Sequence, residues 1–216
     1  LPHAENGANQ SLDEISAAGH RIVAGGRFTE SQVVTDSMLE EWKQYMDLAP
    51  LHSPAHLKGY QAVKSMLPEL PQVFVFDTAF HQSMPEKCYM YAVPYEYYEN
   101  NNIRRWGAHG TSHRFVTARV AEFLGQKPED LKIITCHIGN GASISAVKDG
   151  KCFETSMGLT PLEGMMMGTR SGDIDASAVL AIMKEEGFLY HFLEYLTEAN
   201  LIDQPMSLEK RGLVLY

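Results

Sequence analysis

Residues 132–175 read KIITCHIGNGASISAVKDGKCFETSMGLTPLEGMMMGTRSGDID, and this stretch decides the fold. Its first residues, 132–137, are mostly apolar and β-branched, which predicts a buried strand that ends in a histidine. The residues 139–143 that follow (GNGAS) carry no bulky side chain, and the chain then returns as a second apolar strand. The pair Asp149-Gly150 predicts a tight hairpin into a third strand. The stretch therefore predicts a strand, a glycine turn, a strand, a hairpin and a strand in succession.

Two glycine-containing segments in this stretch predict an anion site. The glycine loop (Gly139–Gly141) lets backbone N–H groups approach an anion closely and form a nest around phosphate oxygens. Further along, Arg170 lies between Gly168 and Gly172, beside hydroxyl side chains. Its guanidinium could bind a phosphoryl oxygen bidentately, while the glycines leave room for a substrate. Either segment alone is more typical of an ordinary turn or surface loop, but their proximity in sequence favours phosphate binding.

The composition is that of an ordinary globular protein. A chain of 216 residues, 44% hydrophobic and 21% charged, could form one large domain or two small ones with a sizeable core. Its formal net charge of −9 argues against a nucleic-acid-binding protein, which would carry a basic patch. An acidic protein that binds anions must concentrate positive charge locally. The arginines that could do so are Arg21, Arg104, Arg105 and Arg170.

The cysteines and the hydropathy predict the compartment. The chain has three cysteines, Cys88, Cys136 and Cys152, which is an odd number without CxxC spacing and fits a reducing compartment. Because Cys136 lies in an apolar strand, we expect it to belong to the core rather than to act in catalysis. There is no stretch of 18 apolar residues, and the first residues do not resemble a signal peptide. We therefore predict a cytoplasmic protein without a membrane span.

Helices and short strands alternate in the rest of the predicted secondary structure. An apolar strand carries Arg21 near its start and is followed by a double glycine, and a second strand covers residues 72–76. Ser112 is a candidate N-cap, and Pro54 a candidate first residue of a helix. Hydrophobic spacing predicts helices over residues 12–18, 37–47, 55–67, 113–124, 176–187 and 190–199.

Four polar side chains outside the opening stretch are candidates for function. The strand over residues 72–76 delivers Asp77 at its carboxyl end, which is the edge where open α/β sheets bind ligands. Arg21 is more readily explained by binding a phosphate or carboxylate than by a surface ion pair. His109 lies close to glycines on both sides, which makes it accessible and favours a function. For His52, in a proline-bounded loop, a ligand-binding role and a structural role are equally compatible with the sequence.

Three blocks of sequence, in this order and spacing, resemble the acetokinase family. They are residues 75–82 (VFDTAFHQ), 107–113 (GAHGTSH) and 132–175, and the resemblance covers roughly residues 15–187. It implies the α/β actin-like ATPase (ASKHA) superfold, in which two ribonuclease-H-like domains close on a cleft, here as an incomplete two-domain fragment. Residues 1–81 would be the remainder of the N-terminal domain, and residues 82–216 the first part of the C-terminal domain. The family's N-terminal phosphate loop and its C-terminal adenosine- and magnesium-binding segments are expected to be missing.

The resemblance implies an acetate kinase, which transfers the γ-phosphoryl group of ATP reversibly to acetate and gives acetyl phosphate and ADP. The expected cofactor is Mg²⁺, with no ligand assigned to a residue of this chain. The expected partners are acetate or a similar short carboxylate, ATP or ADP, and a second copy in a homodimer, with no nucleic acid and no membrane. The alternatives are a propionate or butyrate kinase, a phosphatase-like relative that uses water, and a catalytically silent truncated remnant that acts only in binding or association.

The resemblance also implies roles for individual residues. Asp77 would donate or accept a proton; because a carboxylate acceptor hardly needs a base, it could instead orient Arg21 or magnesium-bound water. His109 and Arg170 would stabilise the transition state, in which charge must be neutralised as two anions meet. The acyl group would be bound by Arg21 through its carboxylate, and through its methyl group by Val23, Leu51 and Pro161. The ATP phosphates would lie along His137, Ile138, Gly139, Asn140 and Gly141.

Overall fold

The computed structural model describes residues 11–49 and 52–187. Contacts between α-carbons divide the chain into two units, Leu1–Asp173 and Ile174–Tyr216. The described part of the first unit contains two three-stranded sheets, and that of the second contains one helix. The first sheet lies before the predicted boundary between residues 81 and 82 and the second sheet after it, while that boundary itself stays a prediction. The helix predicted over residues 190–199 falls outside the described residues.

The first sheet places two predicted site residues at one edge. Its strands are β1 (Ala18–Ile22), β2 (Gln32–Val33) and β3 (Gln72–Phe76), in the order β1-β3-β2. β1 runs parallel to β3, with Ile22 opposite Phe76, and β2 runs antiparallel to β3. Parallel strands bring their carboxyl ends to the same edge. Arg21 and Asp77 therefore come together at this edge. The position of Asp77 at the carboxyl end of the strand agrees with the prediction.

Two helices complete the hydrophobic core beside this sheet. They are α1 (Asp36–Lys43) and α2 (Ser53–Met66). The Thr35 hydroxyl caps α1 by accepting from Met38 N at 3.2 Å, and a proline lies in the first turn of α2. The indole of Trp42 is buried and donates to the Ala24 carbonyl at 2.9 Å. The buried cluster comprises Ile22, Met38, Trp42, Tyr60, Phe74 and Phe76.

The second sheet confirms the pattern read from the opening stretch. It is an antiparallel meander of β4 (Lys132–Ile138), β5 (Ala142–Lys148) and β6 (Lys151–Thr155). The hairpin between β5 and β6 has positive φ at both of its central residues, 55° at Asp149 and 73° at Gly150. A two-residue turn of this kind matches the twist of the flanking strands, which is why an Asp-Gly pair predicts it.

Three further helices lie between the two sheets in the sequence, and a fourth is the described part of the second unit. Two short helices, α3 (Glu86–Tyr89) and α4 (Tyr95–Asn101), precede α5 (Gly110–Leu124), which packs against β4. In the second unit, α6 (Ala176–Glu185) is capped by the Asp175 carboxylate, which accepts from Ser177 N at 2.7 Å. Among the helices of the described residues, none is both long and apolar enough to cross a bilayer.

Three helix predictions are wrong by more than two residues at one end. The helix expected over residues 12–18 is only a short 3-10 turn, Leu12–Glu14, because Ala18 already starts β1 and its N–H bonds the Pro71 carbonyl at 2.9 Å. The helix expected over residues 37–47 ends at Lys43 and is followed by a separate 3-10 turn. Ser112 does not cap α5, which begins at Gly110; its hydroxyl is instead 2.9 Å from the His137 ring.

The burial of β4 is also different from the prediction. Within this strand only Thr135 is buried, while Ile134 and Ile138 are 73% and 65% exposed, and Cys136 is exposed rather than in the core. Alternate residues of a strand point to opposite faces, and α5 packs on only one of them. We call the face against α5 the covered face; its buried residues are the hydroxyl residues Thr135, Ser143, Ser145 and Thr155 together with Val147 and Cys152. The opposite, open face carries Ile134, Cys136, Ile138 and Ile144.

Candidate functional site

A cleft of about 230 Å³ brings together segments that are far apart in the sequence. It is lined by the end of β1, the loop before α2, the entry to α5, the glycine loop and the segment around Arg170. The lining residues are Arg21, Val23, His52, Ala108, His109, His137, Gly139, Asn140, Gly141, Pro161 and Arg170. Most of the predicted site residues therefore meet in one place, and His52, for which the sequence left two roles open, is among them.

Two predicted site residues are not part of the lining, and a third lies outside the described residues. Asp77 is fully buried behind Arg21. The side chain of Ile138 lies on the open face of the second sheet. Leu51 falls outside the described residues. The roles predicted for all the site residues stay predictions, and the geometry shows which of them can act together.

The Asp77 carboxylate holds the Arg21 guanidinium at the edge of the cleft. Asp77 Oδ2 accepts from Arg21 Nε at 3.0 Å and from Nη2 at 2.6 Å. Its other oxygen, Oδ1, accepts from the Thr111 hydroxyl at 3.0 Å. The Arg21 side chain is 59% exposed while the carboxylate is fully buried. Asp77 therefore holds a partly exposed cation, which is the geometry expected for one of its three candidate roles, that of orienting Arg21; the role itself stays a prediction.

A main-chain contact sets the distance between Asp77 and the start of α5. Gly110 N donates to the Asp77 carbonyl at 3.0 Å. A Cβ atom built on Gly110 would lie 2.0 Å from that same oxygen, which no side chain could tolerate. Only glycine permits this approach of helix to strand. The contact holds the neighbouring His109 next to the Arg21–Asp77 pair.

His109 occupies a constrained position at the N-cap of α5. Its φ is 59°, in the left-handed region that residues other than glycine adopt infrequently and that is over-represented at functional sites. Its Nδ1 lies 2.9 Å from the Ser143 hydroxyl, and its ring stacks on His137 with centroids 4.0 Å apart. Burial, and then the proximity of His137, lower the pKa of His109 to about 4. The ring is thus neutral at pH 7 in the free chain.

The Arg170 segment packs against the glycine loop. Arg170 Nη1 donates to the Pro161 carbonyl at 2.7 Å. A Cβ atom on Gly141 would lie 3.3 Å from both Arg170 Nη2 and His109 Nε2, so this glycine keeps the centre of the cleft open. At Gly168 a Cβ atom would lie 2.1 Å from the Asn140 side-chain oxygen. Glycines on both segments therefore leave the space that the side chains of the other segment occupy.

One donor of the predicted phosphate nest is already used. The Gly139 N–H donates to the Gly141 carbonyl at 3.0 Å and closes the turn. A phosphate bound here would have to use other N–H groups of the loop. The phosphate nest stays a prediction, and its candidate N–H donors are those of the residues after Gly139.

The described residues do not form a magnesium site of their own. They contain no group of three or more His, Cys, Asp or Glu side chains placed to hold a metal ion. Magnesium in phosphoryl-transfer enzymes is bound by one or two carboxylates together with the substrate phosphates. Both oxygens of Asp77, the carboxylate that holds Arg21 at the cleft, are engaged by Arg21 and Thr111. These residues do not fit the ion that the resemblance implied.

Sequence reasoning missed the buried residues behind His109. Ser143 contacts both His109 and His113, and His113 contacts Thr135. Two signals were present in the sequence. The histidines at 109 and 113 are one helical turn apart, and hydroxyl residues recur at alternate positions of strands that otherwise read as apolar.

Comparisons with known proteins agree with the resemblance. The model of the acetokinase family matches residues 3–197. The acetate kinase of Bacteroides fragilis is 64% identical over 188 residues, which are 87% of this chain and 47% of that protein. The crystal structure of Porphyromonas gingivalis acetate kinase superimposes with a TM-score of 0.81 at 49% identity, covering 87% of this chain and 47% of that one.

A second solved structure widens the comparison. A propionate kinase from Francisella tularensis superimposes with a TM-score of 0.79 at 51% identity, covering 82% of this chain and 46% of that one. These similarities confirm the predicted α/β actin-like ATPase fold in incomplete form. The chain spans about half the length of the relatives that it matches.

Proposed function

The chain belongs to the acetokinase family, and from this premise we propose that it carries the acyl and phosphoryl side of an acetate kinase. The reaction is reversible transfer of the ATP γ-phosphoryl group to acetate, which gives acetyl phosphate and ADP. The observation that carries the proposal is the convergence of Arg21, Arg170 and His109 in one cleft beside the glycine loop. ATP, Mg²⁺, a homodimeric state and a cytoplasmic location are proposals that rest on the family alone.

The chemistry needs positive charge more than it needs a base. The acceptor carboxylate is already an anion, and it must approach an anionic phosphoryl group in line. Fixed cations and N–H donors around the transferring group lower this barrier. Two arginines from different segments meet this need, and Asp77 acts by holding one of them rather than by moving a proton.

The two arginines are held in a way that supports separate tasks. Arg21 uses Nε and Nη2 on Asp77, which leaves its Nη1 group for the substrate carboxylate. Arg170 is held through Nη1 by the Pro161 carbonyl, and its Nη2 lies beside Gly141. Arg21 would bind the acyl group, and Arg170 would neutralise charge on the transferring phosphoryl group.

His109 would act on the phosphoryl group beside Arg170, since both side chains approach Gly141. The ring is neutral in the free chain because its pKa is lowered to about 4. A phosphoryl anion bound beside it would raise that pKa, since a nearby negative charge favours the imidazolium form. His109 would then donate a hydrogen bond that strengthens as charge develops.

The apolar part of the cleft supports a small acyl substrate. Val23, Ala108 and Pro161 line it. The small side chain at Ala108, together with the similarity to a propionate kinase, supports propionate as a second candidate substrate. The span of about half of the relatives' length supports another alternative, in which this chain binds ligands without turnover.

Trapping of acyl phosphate as the hydroxamate tests the proposal directly. Purified chain, ATP, Mg²⁺ and acetate should give a signal that Arg170→Ala lowers by about 100-fold or more, because it removes charge stabilisation made mainly in the transition state. Arg119→Ala is the matched control, since Arg119 is an exposed residue of α5 paired with Glu122. Parallel reactions with propionate compare the two substrates. A folded chain that gives no signal would overturn the kinase proposal for these residues and favour the binding-only alternative.

A further inference from the structure

A row of buried hydrogen bonds leads from the cleft into the protein interior. His109 Nδ1 lies 2.9 Å from Ser143 Oγ, which lies 2.8 Å from His113 Nε2. His113 Nδ1 lies 2.7 Å from Thr135 Oγ1. Ser143, His113 and Thr135 are at most 2% exposed, and none of them lines the cleft. We call these four residues the hydroxyl–imidazole row.

All the hydrogen bonds of this row must be donated in the same direction along it. Each hydroxyl has one proton to donate, and each neutral imidazole has one N–H and one acceptor nitrogen. Burial lowers the pKa of His113 to about 3 and that of His109 to about 4, so both rings are neutral at pH 7. Fixing the donor at one end of the row therefore fixes every proton along it.

Thr135, at the buried end of the row, sets the direction in which the hydrogen bonds are donated. The Thr135 hydroxyl is also placed to donate to the Ser145 carbonyl, at 3.4 Å, and a carbonyl can only accept. With its proton used there, Thr135 Oγ1 accepts from His113 Nδ1–H. His113 Nε2 then accepts from the Ser143 hydroxyl. Ser143 Oγ in turn accepts from His109 Nδ1–H, which leaves His109 Nε2 without a proton.

The outer end of the row favours the same direction. His109 Nε2 faces Gly141, whose added Cβ would lie 3.3 Å from this nitrogen and equally far from Arg170 Nη2. The cleft beyond is lined by two guanidinium groups, those of Arg21 and Arg170. A nitrogen lone pair facing these cations is favourable, whereas an N–H group facing them is repelled.

We propose that Ser143, His113 and Thr135 are positioning residues that hold His109 as its Nδ1–H tautomer, with an unprotonated Nε2 facing the cleft. What Nε2 does to a substrate rests on the proposed function, while the tautomer is a property of the free chain. When a phosphoryl-bearing anion binds, its negative charge favours the imidazolium form, and the Nε2 lone pair takes up one proton from solvent. His109 thus becomes a donor only when the phosphoryl group is present.

Nitrogen-15 NMR of the histidine rings tests the tautomer without any activity. The full chain is labelled in its nine histidines, and His109→Gln identifies the His109 signals by their loss. At pH 7 we expect His109 Nδ1 to resonate as a protonated nitrogen and Nε2 as an unprotonated one. A protonated Nε2 in the unsubstituted chain would overturn the proposal.

Thr135→Val tests the row from its far end. Valine has nearly the same shape but cannot accept from His113, so the His113 proton moves to Nε2 and is donated to Ser143. The Ser143 hydroxyl then turns towards His109 Nδ1, and His109 carries its proton on Nε2. Each ring still holds one proton, and the nitrogen pattern of His109 inverts. An unchanged His109 pattern in a folded variant would refute the role of the row.

Thr117→Val is the matched control for this substitution. Thr117 is equally buried, lies on α5 with His113, and bonds only the His113 backbone carbonyl, at 2.8 Å. We expect the His109 pattern to stay as in the unsubstituted chain; inversion here would also count against the row. If Thr135→Val does not fold, Ser143→Ala replaces it. That variant breaks the row in the middle and should populate both tautomers of His109, whereas a single unchanged tautomer would overturn the proposal.

Activity separates this inference from the proposed function. A chain with the expected nitrogen pattern but no hydroxamate signal would contradict the kinase proposal and leave the tautomer established. A chain with activity but a protonated Nε2 would support the kinase proposal and contradict the proposed tautomer. In an active chain, we expect Thr135→Val to lower kcat about tenfold, the effect of one hydrogen bond, with the KM for acetate unchanged.

Discussion

The two faces of the second sheet depart from the usual distribution of side chains. On the covered face, four hydroxyl residues are buried beside Val147 and Cys152; on the open face, three isoleucines are exposed and only Ala142 is buried. A half-covered antiparallel sheet ordinarily buries its apolar residues and exposes the polar ones. Burying a hydroxyl costs free energy unless it is hydrogen-bonded, and here each buried hydroxyl has a partner. The difference indicates that the covered face is arranged to support the cleft.

The largest expected effect is a loss of stability in acid through His81, which packs on the covered side. Its Nδ1 is 3.1 Å from Cys152 Sγ, and its Nε2 is 2.9 Å from the Ala108 carbonyl. Burial lowers the pKa of His81 to about 4, against about 6.5 in the unfolded chain. Between these values only the unfolded state binds the proton, so the free energy of unfolding falls as pH drops from 6.5 to 4. The loss from His81 alone is about 3 kcal/mol.

Urea unfolding at several pH values from 7 to 4.5 measures this effect. His81→Gln retains a donor at the Nε2 position but cannot titrate, so its stability should fall less steeply with pH. The lowered pKa values of His109 and His113 act in the same direction and leave a smaller slope in the variant. Equal slopes for the two proteins would show that His81 does not contribute to the loss of stability in acid.

A smaller effect is expected from a hydroxyl of the covered face that lies outside the hydroxyl–imidazole row. Thr155 Oγ1 is 2.8 Å from Ser145 Oγ and also donates to the Ile144 carbonyl at 3.3 Å. Thr155→Val keeps the shape but leaves the buried Ser145 hydroxyl without this partner. We expect the free energy of unfolding to fall by about 1–2 kcal/mol, measured from the urea midpoint at pH 7.

Ile134→Thr, on the open face, is the matched control. It makes the opposite change, from an apolar to a hydroxyl side chain, at a residue that is 73% exposed. The free energy of unfolding should change by no more than about 0.5 kcal/mol. A loss as large as that of Thr155→Val would mean that the open face is buried in solution, and the contrast between the faces would fail.

The smallest effect is chemical, and it distinguishes the cysteines of the two faces. Cys136 is exposed on the open face, while Cys152 is buried and its burial raises the pKa of the thiol to about 12. Because the thiolate is the reactive form, a disulfide reagent should modify Cys136 quickly and Cys152 only after unfolding. Cys136→Ser should remove the fast phase. A fast phase that persists in this variant would place the reactive thiol elsewhere.

The element order and most of the cleft lining could be predicted, because they depend on local signals. The glycine loop, the Asp149-Gly150 hairpin and the strand that ends before Asp77 all lie where their motifs indicated. The burial of β4 could not be predicted. Alternation identifies which side chains share a face, but the position of α5 decides which face is covered, and Cys136 was misplaced for that reason.

The hydroxyl–imidazole row could not be predicted from the sequence, for a different reason. Ser143 and His113 are 30 residues apart, and each is an ordinary residue of its own element. Only the packing of α5 on β4 and β5 brings their polar atoms to hydrogen-bond distance. Neither the helical spacing of the two histidines nor the alternating hydroxyls specifies that contact. Tertiary packing, and not local sequence, decides which groups a buried polar residue bonds.

The contact between Gly110 N and the Asp77 carbonyl bears on how such a protein can diversify. Main-chain atoms set the spacing of the two segments, so the side chains around the cleft are free to vary without altering it. If the proposed function holds, a descendant could change the acyl group it accepts by substitutions at positions such as Val23 or Ala108, while the frame that aligns its arginines is inherited intact. Side chains in the pocket can therefore vary as long as position 110 remains glycine.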